Sequence, residues 1–550
     1  MFKKFDKKIY YPILIAGIFY GLSFPPVNLY FLIYFSFIII IDLTLKSSNL
    51  KQAIFRSYSV FWMAGLVAIS WIALSGMQEN ADPFLIVSGI FVIFVYPLFF
   101  VLPVILFYFI NKNLSSKNSG SRGEKFFAPA SLLVFPFLWT GFEYVQTLGQ
   151  INFPWLFAGN SQTYNLDKIQ FAEYTGIFGV SFWICLMSVC VYYVFNKLIN
   201  KEWTISSPKS IVSILIIIFF YFFPDVYNVF REKNFSDEGK VKVGIVQTNI
   251  NPWTKWSGKQ KDMIYGFTEQ IKQIHSVNPD VKLVILPETA LPYYFRERYF
   301  EERYAILKNL CDSLNLPLLI GTPDLQIYED QSNAPNDAKI MKSTGLKYDT
   351  YNSAVLFEPG KDKNEFQQHQ KVKLVIGSER MPYQEIFPFT KNLIEWGVGI
   401  GNWQIGKDTN VFTLPGNIKF NTAICYESVY PEFFADFVNK GADFSVIITN
   451  DGWWGKFFGT HQHNRFAVFR AIENRRWIAR CANTGISDFI DPEGNMYEET
   501  PIDEKKNIVF NIGLRKEKTF FTLHGDLFSK ICLTFGLLFF ITSFFFRRKK

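Results

Sequence analysis

Apolar positions fall into two dense blocks on either side of a stretch of ordinary polarity. Across roughly the first 225 positions, and again over about the last 25, apolar runs approach the ~20 residues that a helix needs to cross a bilayer. The runs lie near 10–24, 29–45, 58–74, 83–110, 126–145, 176–195, 211–223 and 527–546. They predict a polytopic α-helical membrane domain of about eight spans. The first run is short, but Ser23-Phe24-Pro25-Pro26 is a poor cleavage site, so it reads as a retained span rather than a signal peptide. A polar Ser/Gly/Lys-rich linker at 111–125 follows the fourth run.

From Lys240 onward the pattern changes. Short β-branched runs at 241–247, 283–286, 316–320, 354–357, 422–425 and 445–449 predict strands, and amphipathic segments at 257–275 and 301–314 predict helices. Continuous apolar strands between helices imply sheets buried under helices, an α/β layered domain. The expected organisation is a membrane domain over 1–235, a soluble domain over 236–520, and a last span with a basic tail over 521–550.

The chain is 49% hydrophobic and 18% aromatic, with 61 Phe, an excess that suits lipid contact. Its formal net charge of +8 does not point to nucleic acid, because the basic residues flank the apolar runs. Lys3, Lys4, Lys7 and Lys8 precede the first run, Lys46, Lys51 and Arg56 follow the second, and Lys112, Lys117, Arg122 and Lys125 follow the fourth. Lys197, Lys201 and Lys209 follow the sixth, and Arg547-Arg548-Lys549-Lys550 end the chain. If the spans alternate, all these segments lie on one side, and the acidic Glu79-Asn80-Ala81-Asp82 on the other. The positive-inside rule then predicts both termini in the cytoplasm and the soluble domain outside, in the periplasm of a bacterium with two membranes. Glu143 and Glu173, in or beside spans, are either functional or paired structural carboxylates. The cysteines, at 185, 190, 311, 425, 481 and 532, include no close pair in the soluble part that would suggest a disulfide framework or a zinc site.

Three short pieces of the soluble domain carry chemistry. In Leu283-Val284-Ile285-Leu286-Pro287-Glu288 a buried strand ends on a poorly solvated carboxylate, which suits a general base as well as a simple helix cap. In Thr422-Ala423-Ile424-Cys425-Tyr426-Glu427 a strand runs into a cysteine, either a nucleophile awaiting activation or a small buried hydrophobe. In Gln370-Lys371-Val372-Lys373-Leu374, with Glu379 beyond, a lysine is placed to stabilise a thiolate or an oxyanion, or is simply a solvated charge. Taken singly none decides; together they supply base, stabiliser and nucleophile for acyl transfer through a thioester.

That chain order, Glu288, Lys371, Cys425, resembles the Glu–Lys–Cys triad of the nitrilase superfamily. Asn450-Asp451-Gly452-Trp453-Trp454-Gly455, His461-Gln462-His463, Arg470-Ala471-Ile472-Glu473-Asn474-Arg475-Arg476 and Ala482-Asn483-Thr484-Gly485-Ile486-Ser487 are similar to its membrane branch, the apolipoprotein N-acyltransferases. So are Lys255-Trp256, Glu143-Tyr144, Phe153-Pro154-Trp155, Ser161-Gln162, 176–182 and Gly525-Asp526. The resemblance covers nearly the whole chain. It implies an αββα sandwich outside the bilayer, and transfer of an acyl chain from a phospholipid to the N-terminal amine of diacylglyceryl-apolipoprotein. Cys425 would be the nucleophile, Glu288 the base and Lys371 the oxyanion stabiliser. Glu379, Tyr426, Glu427 and Asn450 match supporting positions, and Trp256 a substrate-side one. No metal or cofactor is implied.

Both substrates keep their chains in the bilayer, since exposing a chain of about 16 carbons costs ~0.8 kcal/mol per CH₂. An apolar entrance is therefore expected, and Trp453, Trp454, Phe457 and Phe458 are candidates to line it. One departure stands out. Lys373 occupies the place where the family usually has His, and Ile376-Gly377-Ser378-Glu379 replaces a Pro-Phe-Gly-Glu stretch, so Lys373 is an alternative to Lys371. The competing readings are a membrane-tethered amidase and a lipoprotein-binding protein with a dead catalytic domain. Seven spans exceed what a tether needs, and the retained triad types argue against the second.

Overall fold

The computed structural model describes residues 7–115, 124–231, 236–256, 260–387, 389–390 and 401–545. Most of the predicted linker, the start of the predicted 257–275 helix and the terminal basic residues other than Lys7 and Lys8 lie outside these.

Every predicted span falls on a helix, but the helices are not equivalent. Phe84–Leu114, Ala172–Ile199, Pro208–Phe230 and Leu527–Phe545 are long and apolar enough to cross a bilayer. Leu50–Ala68 and Trp71–Met77 meet at a 41° bend and make a fifth if they form one broken span. Ile9–Leu22 and Leu32–Leu45 are apolar but shorter, and of the 22-residue helix Glu124–Val145 the segment Ser131–Val145 is apolar; at ~1.5 Å per residue a 14-residue helix falls short of a ~30 Å hydrocarbon core. By length and composition, the expected count of about eight is thus corrected to four or five among the described residues. The bend at Ile69-Ser70 carries Trp71 into the catalytic half, where its Nε1 donates to Gln462 Oε1 at 3.0 Å.

The helices approach closely at small residues, as membrane packing favours. A Cβ on Gly141 would lie 2.7 Å from Leu533 Cα. The two intramembrane carboxylates both have partners, though one oxygen of Glu143, Oε2, has none. Glu143 accepts from Trp139 Nε1 at 2.8 Å and Ala158 N at 2.7 Å. Glu173 pairs with Arg475 at 2.7 Å and accepts from Tyr227.

The second half is built on two sheets. Strands β1 (Gly239–Gln247), β2 (Leu283–Ile285), β3 (Leu318–Ile327), β4 (Lys339–Ile340), β5 (Lys347–Phe357) and β6 (Gln367–Gln370) come first in the chain. Then follow β7 (Val411–Leu414), β8 (Ile418–Ile424), β9 (Phe444–Thr449), β10 (Ile478–Ala482), β11 (Asp488–Ile490), β12 (Met496–Tyr497) and β13 (Lys506–Leu514). One sheet runs β13-β1-β2-β3-β5-β4, with β6 paired to β5, and the other β12-β11-β10-β9-β8-β7. β1, β2 and β3 are parallel, as are β8, β9 and β10, and the covered β2 and the middle of β9 read as apolar runs.

Val243, Ile245, Leu283 and Ile285 of one sheet pack against Phe420, Ile424, Val446 and Ile448 of the other. Helices Gln260–Val277 and Glu301–Leu314 cover the outside of the first sheet, and Pro431–Asn439 and Phe458–Asn474 that of the second. This is the expected αββα sandwich. Its second helical layer is also welded to the membrane half: Tyr426, Val429, Tyr430, Phe466 and Phe469 share one apolar core with Trp71, Trp139 and Trp155.

Candidate active site

The sheets deliver the three chemical pieces to one place. β2 ends two residues before Pro287-Glu288, Lys371 follows β6 directly, and Cys425 follows β8. Cys425 has φ 52°, a left-handed conformation that costs a side-chain-bearing residue ~1–3 kcal/mol. Local contacts hold it. Its carbonyl accepts from Ser428 Oγ at 2.7 Å and lies 3.1 Å from His463 Nε2, while Ile424 N donates to Glu427 Oε2 at 2.8 Å.

Glu288, Lys371 and Cys425 line one cavity of about 110 Å³ with Asn352, Glu379, Trp403, Trp453 and Trp454. Lys371 Nζ sits 3.1 Å from Glu288 Oε1 and 2.9 Å from Glu379 Oε1. Asn352 Nδ2 donates to the same two oxygens at 2.7 and 3.1 Å. Asn450 N donates to Glu288 Oε2 at 3.0 Å and Val375 N to Glu379 Oε2 at 2.7 Å. Burial pulls the Lys371 ammonium pKa down, but the facing charges of Glu288 and Glu379 outweigh it and hold the value above the usual range. Burial, and then the Glu288 charge, push the Cys425 thiol well above its ordinary value, with Lys371 opposing them. That environment favours the protonated thiol over the thiolate.

Lys373 points elsewhere. Its Nζ lies over the Tyr430 ring at 5.0 Å, and it does not line the cavity. Geometry thus separates the two lysines that the sequence left open.

Glu427 does not face the cavity; it fastens one wall to the other. Its Oε1 accepts from Val372 N at 2.6 Å and Lys373 N at 3.3 Å, and its Oε2 also meets His369 Nε2 at 3.0 Å. It thereby ties the Lys371 stretch to the Cys425 turn. Burial opposes its ionisation, yet His369 and the backbone donors win and lower its pKa. Tyr426 faces the membrane half, donating to Asn152 O at 3.1 Å. Trp256, expected near substrate, does not line the cavity; Lys255 lies against its ring at 5.6 Å. Of the proposed entrance aromatics, Trp453 and Trp454 line the cavity, whereas Phe457 packs on the membrane core and Phe458 is exposed.

Asn352, Trp403 and the pair Asp451–His463 carried no assigned role in the sequence. Asp451, His463 and Cys425 offer three ligand atoms within 4.8 Å of one another, a spacing open to a metal ion. The donors are already committed, however. Asp451 Oδ1 lies 2.8 Å from His463 Nδ1, and Arg480 Nη2 donates to Asp451 Oδ2 at 2.7 Å. A buried guanidinium there repels the cation that the cluster would hold, so the donor set does not fit a metal.

An αββα sandwich with a buried Cys, Lys and two Glu around one cavity is the arrangement of a nitrilase-type domain, and residues 242–515 match carbon–nitrogen hydrolase. Residues 16–190 match the apolipoprotein N-acyltransferase N-terminal domain. An apolipoprotein N-acyltransferase of Chlorobaculum tepidum is 32% identical, with 96% of this chain and 95% of the relative covered. Those of Geobacter metallireducens and Treponema denticola are each 27% identical, over 100% and 98% of this chain and 97% of each relative. The chain belongs to the apolipoprotein N-acyltransferase family.

Proposed function

We propose that this protein acylates the N-terminal amine of diacylglyceryl-apolipoproteins with a chain taken from a phospholipid, through a thioester on Cys425. The observation that carries the reading is Lys371 shared between Glu288 and Glu379 in the cavity of Cys425, within a chain of this family. Glu288 takes the thiol proton as Sγ adds to the phospholipid ester carbonyl. Lys371 faces the oxyanion, a role that preorganised donors fill at little reorganisation cost. The intermediate expels the lysophospholipid alkoxide, which recovers the proton from Glu288 and leaves the acyl thioester. The acceptor amine then attacks that thioester, giving up a proton to Glu288, which returns it to the departing thiolate. Two half-reactions at one thiol imply ping-pong kinetics.

The cavity of about 110 Å³ is smaller than the ~300–1,000 Å³ of ordinary ligand pockets. It accommodates the reacting end of a lipid, and Leu85, Val375, Trp453 and Trp454 offer the chain an apolar way out. The arrangement we propose has a membrane domain (1–235), an extracytoplasmic catalytic domain (236–520) and a final span with its tail (521–550). It sits in a bacterial inner membrane with both termini cytoplasmic, as the basic residues flanking the apolar runs favour.

The test is to incubate the purified protein with phospholipid and examine Cys425 by mass spectrometry. A hydroxylamine-labile acyl adduct, absent in Cys425→Ser, is expected. A wild-type protein that never acquires the adduct would overturn the reading.

A further inference from the structure

A groove between the Phe84–Ser115 and Glu124–Val145 helices is separate from the cavity of Cys425. It holds about 610 Å³ and is walled by apolar side chains, among them Leu98, Phe99, Leu148 and Ile151, all of which are exposed. At Gly149, Asn152 and Ile376 it meets a cleft of about 200 Å³ lined by Lys373. Neither shares a lining residue with the Cys425 cavity. One extended stretch divides them: Lys371 and Val375 line the cavity, while Lys373, Leu374 and Ile376 line the cleft.

Two polar groups here are unexplained by the protein's own contacts. Gln146 is 7% exposed and lines the groove, yet neither atom of its amide has a hydrogen-bond partner. Leaving such a group unpaired is unfavourable, so a partner from outside the protein is expected. Lys373 Nζ rests over Tyr430 at 5.0 Å and Phe433 at 5.8 Å, with no carboxylate oxygen within 4.0 Å among the described residues. Of the four acids that face it, Glu427 is taken by His369 and backbone N–H groups and Glu432 by Lys530 at 2.6 Å, while Asp436 and Asp526 stand beyond ion-pair distance. An ammonium held on aromatic rings, beside an apolar groove with a polar amide in its wall, matches the order of chemistry along one lipid molecule.

We infer that the groove and cleft bind a phospholipid of the surrounding leaflet that does not react. One chain lies along Leu98, Phe99 and Ile151, its glycerol ester meets Gln146, and its phosphate meets Lys373. The acceptor's diacylglyceryl group has no phosphate for Lys373, which is why the occupant is a phospholipid.

The full chain carrying Cys425→Ser, in nanodiscs of phosphatidylglycerol doped with a mid-chain diazirine phosphatidylglycerol, tests this. Photolabel is expected on peptides covering 95–102 and 142–151. It should fall about fivefold in Lys373→Gln, as loss of one basic residue near an anionic headgroup predicts, and recover in Lys373→Arg. Ile151→Trp, which fills the groove, should also displace it. Label spread evenly over the apolar helices, label confined to peptides around Leu85 and Trp453, or label indifferent to Lys373→Gln would each overturn the site. Because Cys425 is replaced, none of these outcomes depends on acyl transfer.

Discussion

Lys371 Nζ lies 3.1 Å from Glu288 Oε1, both side chains are buried, and Glu379 approaches the same nitrogen at 2.9 Å. One cation thus neutralises part of a doubly acidic pocket in the cavity that Cys425 also lines. Lys371→Met should slow single-turnover acylation of Cys425 by about 10²–10³-fold, the usual effect of losing an oxyanion donor. It should also lower the thermal midpoint, because two buried carboxylates lose their counter-charge. Lys373→Met, which leaves that pair intact, should cost far less of the acylation rate. Equal losses would mean that the two lysines have been assigned wrongly.

The Cys425 thiol titrates above its ordinary value because it is buried and faces Glu288. The thiolate fraction therefore keeps rising through the alkaline range. Alkylation of Cys425 by iodoacetamide should accelerate steadily from pH 7 to beyond pH 9, without a plateau. Glu288→Gln removes the like charge and should shift the curve toward lower pH. A plateau below pH 8 in the wild type would contradict the environment described.

His463 acts on Cys425 through its backbone, with Nε2 3.1 Å from the Cys425 carbonyl and Nδ1 2.8 Å from Asp451. It is a positioning residue for a turn whose φ of 52° needs outside support. Small misplacements of a nucleophile cost about 10²-fold. His463→Ala should lower kcat by up to that factor with KM nearly constant, whereas a merely unfolding variant would lose active sites without changing the kcat of those that remain.

The strand leading to Glu288 was legible because a parallel, doubly covered strand reads as an apolar run, whereas β8 carries Lys419, Asn421 and Thr422 and only its end is marked. β2 and β9 fall where such runs do, and β8 ends one residue before Cys425. β4 and β12, two residues each, leave no periodicity to read. Asn352 was invisible for another reason: it sits mid-strand in β5, and only the fold brings it to Glu288 and Glu379. The choice between Lys371 and Lys373 likewise needed side-chain direction, which a two-residue spacing after β6 cannot supply. Apolar runs do not mark helix ends, so they overstate the length of a span: the break at Ile69-Ser70 falls inside a single run.

The two halves are joined by buried charge. Arg475 Nε meets Glu173 Oε2 at 2.7 Å, and its Nη atoms donate to Gln170 and Pro492 carbonyls and to the Gln170 side chain. Nearby, Ile177 N donates to Glu473 Oε1 at 2.8 Å, and Glu473 is paired with Arg470. Such pairs contribute little net stability when intact, since desolvation offsets attraction, but removing one partner strands a buried charge at about 3–5 kcal/mol. Glu173→Gln should therefore lower the unfolding midpoint in detergent and open the junction to proteolysis around Arg475. Replacing both partners, Glu173→Leu with Arg475→Met, should recover much of that loss. If the single variant melts like wild type, the bridge does not hold the catalytic half to the membrane half.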